Sequence, residues 1–222
     1  IRTLFNSLID ENIITRSPIN KKLVPKPEHR NIIIMTDTEI NTILDHAKNT
    51  DRLFYKYLGL LTLTGMRPGD LTNQVYGKIN LAKKVMKISI SKTNMEIEFP
   101  LYEELFKFIQ EEFSDIAMHS PIELLFPDYK PHLVGRKFKR LKKTLDITKE
   151  FDLKTFRKTF ATKLIDNGVD GLTVAYLLGH KSVNTTAKYY INKNSGVVRK
   201  KLNETNVSFI ETLKSANGLL TD

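Results

Sequence analysis

Residues 51 to 64 carry apolar side chains on nearly every face of a helix: Leu53, Phe54, Tyr57, Leu58, Leu60, Leu61 and Leu63 leave little polar surface for solvent. Such a helix is stable only when other elements surround it, so the pattern predicts a central buried helix with the fold built round it. Gly65 ends the run, and Arg67 follows directly at its exit.

The neighbouring segments read as the shell. Thr36 followed by Glu39 is a capping box, and Ile40, Ile43 and Leu44 continue at helical spacing, which predicts a helix over 37–48. Between Lys83 and Leu101 the period changes to two, with Met86, Ile88 and Ile90 alternating against Val85, Lys87 and Ser89, then Ile97 and Phe99. A small antiparallel sheet with a turn after Lys92 is expected there. Residues 102–116 return to helix on Leu105, Ile109 and Phe113, and 131–145 turn Phe138, Leu141 and Leu145 inward. Lys154 to Asn167 carries Phe156, Phe160, Ala161, Leu164 and Ile165 as its apolar face and stops at Gly168. Asp170 and Ser182 are placed to cap two short helices, the first ending at Gly179-His180 and the second bearing Tyr189 and Tyr190. The fold class is therefore mainly α with a small antiparallel β-sheet, an α+β arrangement.

Three stretches divide the chain. Leu4, Phe5, Leu8 and Ile9 form one amphipathic helix, which a polar Pro/Lys linker follows to about residue 30. A lone helix cannot bury its face, so it reads as the end of another domain, or as a helix packed back on this one. Residues 31–203 form the main domain. In the tail, 204–222, Val207, Ile210 and Leu213 make an apolar stripe.

Net charge is +10, and twelve Lys and Arg against three acids lie between Lys130 and Lys163, so nearly the whole excess sits in that one stretch. A solvated helix face and a surface for a phosphate backbone explain such a run about equally well, and its clustering round Arg157 favours the phosphate. Arg136, Lys137, Lys139, Arg140, Lys142, Lys143 and Lys158 are the candidates for backbone contacts. The chain has no cysteine, and its five histidines form no ligand pair, so neither disulfides nor a metal site is expected. No apolar run is long enough for a membrane span, and a soluble, cytoplasmic location is expected.

Arg67, Lys92, Arg157, His180 and Tyr189 together describe a phosphate site with a nucleophile: guanidiniums grip oxygens in fixed forks, a lysine or histidine moves a proton, and a phenol attacks phosphorus. Each also has a plainer reading. A buried Arg or His commonly satisfies its own fold, Lys92 in a hairpin can be a surface charge, and Tyr189 and Tyr190 can be core aromatics. What sets the plainer readings aside is the order and spacing of the surrounding strings over about 120 residues.

Those strings are Thr64-Gly65-Met66-Arg67 with Asp70 three residues on, Lys154-Thr155-Phe156-Arg157 followed by Thr159-Phe160-Ala161-Thr162, and Leu178-Gly179-His180 with Tyr189 nine residues later. From about residue 33 to 200 the chain resembles the catalytic domain of tyrosine recombinases, the phage and transposon integrases and their chromosome-resolving relatives. The resemblance implies a catalytic core of that fold and metal-free, cofactor-free cleavage and rejoining of duplex DNA through a 3′-phosphotyrosine. Tyr189 is then the nucleophile, Arg67 and Arg157 grip the non-bridging oxygens, Lys154 and His180 add hydrogen bonds, Lys92 protonates the departing 5′ hydroxyl, and Asp70 supports Arg67. Residues 1–30 become the end of a core-binding domain plus its linker, and the tail a segment that docks on another protomer or packs in cis. Partners are double-stranded DNA and further copies of the chain, as a tetramer on DNA, without a membrane.

Lys154 stands where the family has histidine. With an ordinary pKa of about 10.4 it is a poor base, which leaves the acceptor of the Tyr189 proton open. A type IB topoisomerase-like enzyme that nicks and reseals one duplex, and a non-catalytic DNA-binding domain, are the alternative readings.

Overall fold

The computed structural model describes residues 2–18, 33–180 and 195–204. The chain divides into two units, Ile1–Ile32 and Ile33–Asp222. The first contains α1 (Arg2–Asp10), whose Phe5, Leu8 and Ile9 are half-buried while Leu4 is exposed.

In the second unit, α2 (Asp37–Thr50) begins at the capping box read from sequence: the Thr36 hydroxyl accepts from the Glu39 amide, and the Glu39 carboxylate accepts from the Thr36 amide. Asp51 ends α2 and caps α3 (Arg52–Thr64) by accepting from the Phe54 amide at 2.9 Å. Ten of the thirteen α3 residues are buried, and α2, α5 and α7 pack round it, as its all-round apolar surface requires. At Gly59 an added Cβ would meet the Phe108 ring at 2.2 Å, so that glycine sets how closely α5 (Glu103–Glu112) approaches. Gly65 then turns the chain in the left-handed region, with φ +61°.

After α4 (Pro68–Thr72), β1 (Ile79–Asn80), β2 (Val85–Ile90) and β3 (Met95–Pro100) form an antiparallel sheet in that order. Ile88 faces Ile97 and Ile90 faces Met95; Met86, Ile88, Ile90, Ile97 and Phe99 point inward, while Lys87 and Ser89 face out. The turn comprises Ser91 to Asn94, so Lys92 lies within it and not ahead of it, and Asn94 takes the positive φ that closes it. β1 was not legible in advance: two residues are too short to show a period.

Helices α6 (Pro131–Thr144), α7 (Leu153–Asp166) and α8 (Gly171–Leu177) follow. Phe138 and Leu141 are buried beneath α6, and Phe156, Phe160 and Leu164 beneath α7. Ile165 corrects the reading of α7, since it is 54% exposed: it sits 100° round from Leu164, beyond the edge of the buried stripe. Among the described residues a last helix, α9 (Ser195–Glu204), buries Val198 and Leu202, packs on β3 and caps α5, Asn203 Oδ1 accepting from the Glu103 amide at 2.8 Å. The sequence carries no clear sign of it. Of the segments read there, the linker beyond residue 18, the Ser182 cap, Tyr189, Tyr190 and the Val207, Ile210 and Leu213 stripe lie outside the described residues. No helix among the described residues is long and apolar enough to cross a membrane.

Candidate active site

Four loops or helix starts meet over the end of α3. The first is the α3–α4 turn carrying Arg67, which one neighbouring threonine and two tyrosines further away in the chain pin in place. Thr64 accepts from the Met66 amide at 3.2 Å, Tyr57 donates to the Pro68 carbonyl at 2.9 Å, and Tyr102 donates to the Leu63 carbonyl at 2.7 Å. The two tyrosine supports are not visible in the sequence, because nothing local says which backbone carbonyl a buried phenol will reach.

Arg157 lies one turn into α7 and donates from Nη1 to the Gly65 carbonyl at 3.1 Å and from Nη2 to the Leu178 carbonyl. One guanidinium thus joins the backbone before Arg67 to the backbone before His180. Asp152 sets the pitch of that helix start, its carboxylate accepting from the Lys154 and Thr155 amides at 2.8 and 3.0 Å. Its job is capping, and the same cap places Lys154 in the first turn, exposed at the cleft.

Asp70 is 6% exposed and connects two further pieces. Its Oδ1 accepts from the Ser91 amide at 3.1 Å, which ties the Lys92 turn to α4, and its Oδ2 lies 3.6 Å from Arg67 Nη1. That Nη1 is buried and has no hydrogen-bond acceptor among the described residues. It faces the Asp70 carboxylate just beyond hydrogen-bond distance, an ion pair that holds the guanidinium in the wall of the site.

His180 follows Gly179, whose φ is +62° and whose added Cβ would stand 1.8 Å from the Ile90 side chain. Close packing of β2 against this glycine fixes where the histidine emerges, and the His180 amide donates to the Ala175 carbonyl at 2.9 Å.

Electrostatics follow from the crowding of cations. Burial, and then Arg67 close by, hold the Arg157 pKa down to about 10, with Asp70 opposing the shift. Partial burial, then Arg157 and Arg67, keep His180 below the ordinary histidine value, so its ring is neutral at pH 7 and one ring nitrogen is free to accept a proton.

Arg67, Asp70, Lys92, Lys154, Arg157 and His180 all line one open cleft of about 1390 Å³. Lys139, Lys142 and Lys158 line it as well. Arg136, Arg140 and Lys143 line an adjoining cavity of about 710 Å³ that shares Lys139 and Lys142 with the first. Lys137 leaves this group: it pairs with Asp51, hydrogen-bonds the Tyr129 hydroxyl at 3.2 Å and lies over the Phe54 and Tyr129 rings. Only its position on the helix could have told it from its neighbours, since α6 turns that face toward α3. Glu150, counted in the sequence merely as a charge, is an acid in the wall of the cleft.

Residues 34–196 match the model of the phage integrase family. The tyrosine recombinase XerD of Lacticaseibacillus casei is 25% identical over 213 residues, covering 89% of this chain and 71% of the relative. A tyrosine recombinase of Pseudothermotoga lettingae is 28% identical over 192 residues, covering 85% and 66% respectively. The chain thus spans roughly two thirds of these relatives' length. Among solved structures, a lambda integrase tetramer bound to a Holliday junction superposes with a TM-score of 0.60 at 20% identity, over 82% of this chain and 56% of that one.

Proposed function

The chain belongs to the phage integrase family and is a tyrosine recombinase, an enzyme that cleaves and rejoins DNA; from that premise we propose how its own residues carry the reaction. The observation that supports the assignment is the one open cleft lined by Arg67, Arg157, Lys92, Lys154 and a neutral His180, with Asp70 beside Arg67 in its wall.

A phosphodiester in the cleft is held by Arg67 and Arg157. Their charge is set before the substrate arrives, so it stabilises the extra negative charge of the pentacoordinate transition state without reorganisation. Tyr189 attacks phosphorus, the bond from phosphorus to the phenolic oxygen forms, and the bond to the 5′ oxygen breaks. Lys92, on its turn at the cleft edge, gives a proton to that oxygen. His180, neutral and partly desolvated, takes the phenolic proton, and Lys154 contributes a hydrogen bond to the phosphate. The phosphotyrosine keeps the bond energy of the cleaved ester, so attack by a 5′ hydroxyl rejoins the strand. Exchange between strands uses further copies of the chain, as a tetramer on duplex DNA, in the cytoplasm of a bacterial host. Residues 1–30 serve as the end of a core-binding domain with its linker, and 204–222 as a tail that docks on a neighbouring protomer.

A duplex nicked just beyond the scissile phosphate traps the covalent product, because the short 5′ strand diffuses away. The chain is expected to form a denaturant-stable adduct that Tyr189→Phe abolishes and Tyr190→Phe retains. Retention by Tyr189→Phe with loss in Tyr190→Phe would move the nucleophile by one residue. Relaxation of supercoiled DNA without strand exchange would favour a topoisomerase-like enzyme, and binding with no adduct a non-catalytic domain.

A further inference from the structure

Gly135 sits in the second turn of α6, where a glycine is markedly worse than an alanine because it gives up more backbone freedom on folding. The usual reasons for such a residue do not hold. It is not among the residues of positive φ, and the helix runs through it unbroken from Pro131 to Thr144. An added Cβ would meet no atom within 4 Å among the described residues, in contrast to Gly59 of α3, where the Phe108 ring fills the space. What Gly135 does face is the cleft. Pro131, Gly135, Lys139 and Lys142, at helical spacings of four, four and three, share one face of α6, and all four line that cleft. The stripe begins beside α4, where Pro131 Cγ stands 3.9 Å from a Cβ built on Gly69, two residues beyond Arg67. It ends in two cations. The wall thus leads from Arg67 to Lys139 and Lys142 across one turn that carries no side chain.

Resting on the reading that a phosphodiester of duplex DNA occupies this cleft, we propose that Gly135 is where the sugar–phosphate chain touches the backbone of α6, its missing side chain setting how deeply the duplex seats. Glycine is the residue that lets another backbone come that close. Lys139, one turn further on, then meets phosphate from a fixed height. Lys142 does so as well, since its ammonium gives one donor to the Lys149 carbonyl at 2.8 Å and keeps two. The contact at Gly135 itself is neutral and blind to base sequence, so it acts on the fit of the duplex and not on the charge balance. Helix stability is given up at this position in return for close approach.

Gly135→Ala adds one methyl group and no charge, and its effects on fold and on binding should have opposite signs. The thermal midpoint is expected to rise by about 1 to 4 °C. Affinity for a fluorescein-labelled duplex, read by anisotropy, is expected to fall about tenfold, and further in Gly135→Leu. Because no cation is lost, the slope of log K against log salt stays that of the parent. Gly171→Ala, at an exposed glycine that starts α8, has open space and does not line the cleft, should keep the parent affinity. Unchanged affinity in both Gly135 variants overturns the proposal, as does weaker binding that comes with a flattened slope. A thermal midpoint below the parent overturns it too, by showing that the position is packed within the fold. Equal weakening in Gly171→Ala would do the same, as a general effect of replacing helical glycines. Failure of the underlying DNA reading looks different: the parent chain itself would form no Tyr189-dependent adduct on the nicked duplex.

Discussion

Arg157 combines two duties that a lysine could not share out in the same way. Its planar fork satisfies two backbone carbonyls on different loops while leaving donors for a phosphate. Arg157→Lys is therefore expected to lower cleavage on the order of 10² to 10³ and also to lower stability by about 2 kcal/mol, read as adduct rate and denaturant midpoint together. A variant that lost activity at full stability would show that the carbonyl ties hold nothing. His180 offers a second check, through pH. Burial and two guanidiniums disfavour its charged ring, so an NMR titration without DNA should find its midpoint below the usual value of about 6.5. The folded chain then binds fewer protons at this site than the unfolded one. The associated stability is present above about pH 6.5 and is lost as pH falls through the folded midpoint. A bound phosphodiester adds negative charge among these cations and should move the midpoint upward. The residues differ in how visible they are in the sequence: Arg67, Arg157 and His180 stand in short strings of fixed spacing, whereas Tyr57 and Tyr102, which hold the Arg67 turn, come from places that local pattern cannot connect.

One helix start and one glycine decide where Lys154 and His180 emerge. Asp152 caps α7, and its removal in Asp152→Ala should cost about 1 kcal/mol in chemical denaturation, since the Lys154 and Thr155 amides lose their acceptor. Asp152→Asn, which keeps that acceptor, should lie close to the parent. Gly179 is a harsher constraint, because both its backbone conformation and its contact exclude a side chain. Gly179→Ala should destabilise by about 1 to 3 kcal/mol and slow cleavage as His180 shifts, visible as altered His180 ring signals in the folded fraction. Helices with a cap and a broad apolar face, α2 and α7 among them, were legible almost to their ends. β1 and α9 were not, the first being too short for a period and the second depending on its packing on β3 and its contact with the start of α5.

The cationic surface of α6 belongs to the whole molecule, because charges gathered on one face act as a field more than as separate groups. Affinity for duplex DNA should fall steeply with salt, and Arg136→Gln, Arg140→Gln and Lys143→Gln combined should flatten the slope of log K against log salt by up to about 3. Lys137→Gln should leave that slope alone and lower stability instead, because its ammonium is spent on Asp51, Tyr129 and Phe54. An unaltered slope in the triple variant would remove α6 from the DNA path. By itself the sequence determined the helical periods, the alternation in the sheet, the basic stretch and the family strings, since all of these are set by residues near one another in the chain. Only the tertiary structure decided that Lys137 turns inward, that Asp70 reaches the Lys92 turn, that Arg157 bridges two loops and that α9 caps α5. Each of those depends on which distant backbone groups are left without a partner once the core has closed round α3, and no local pattern carries that information.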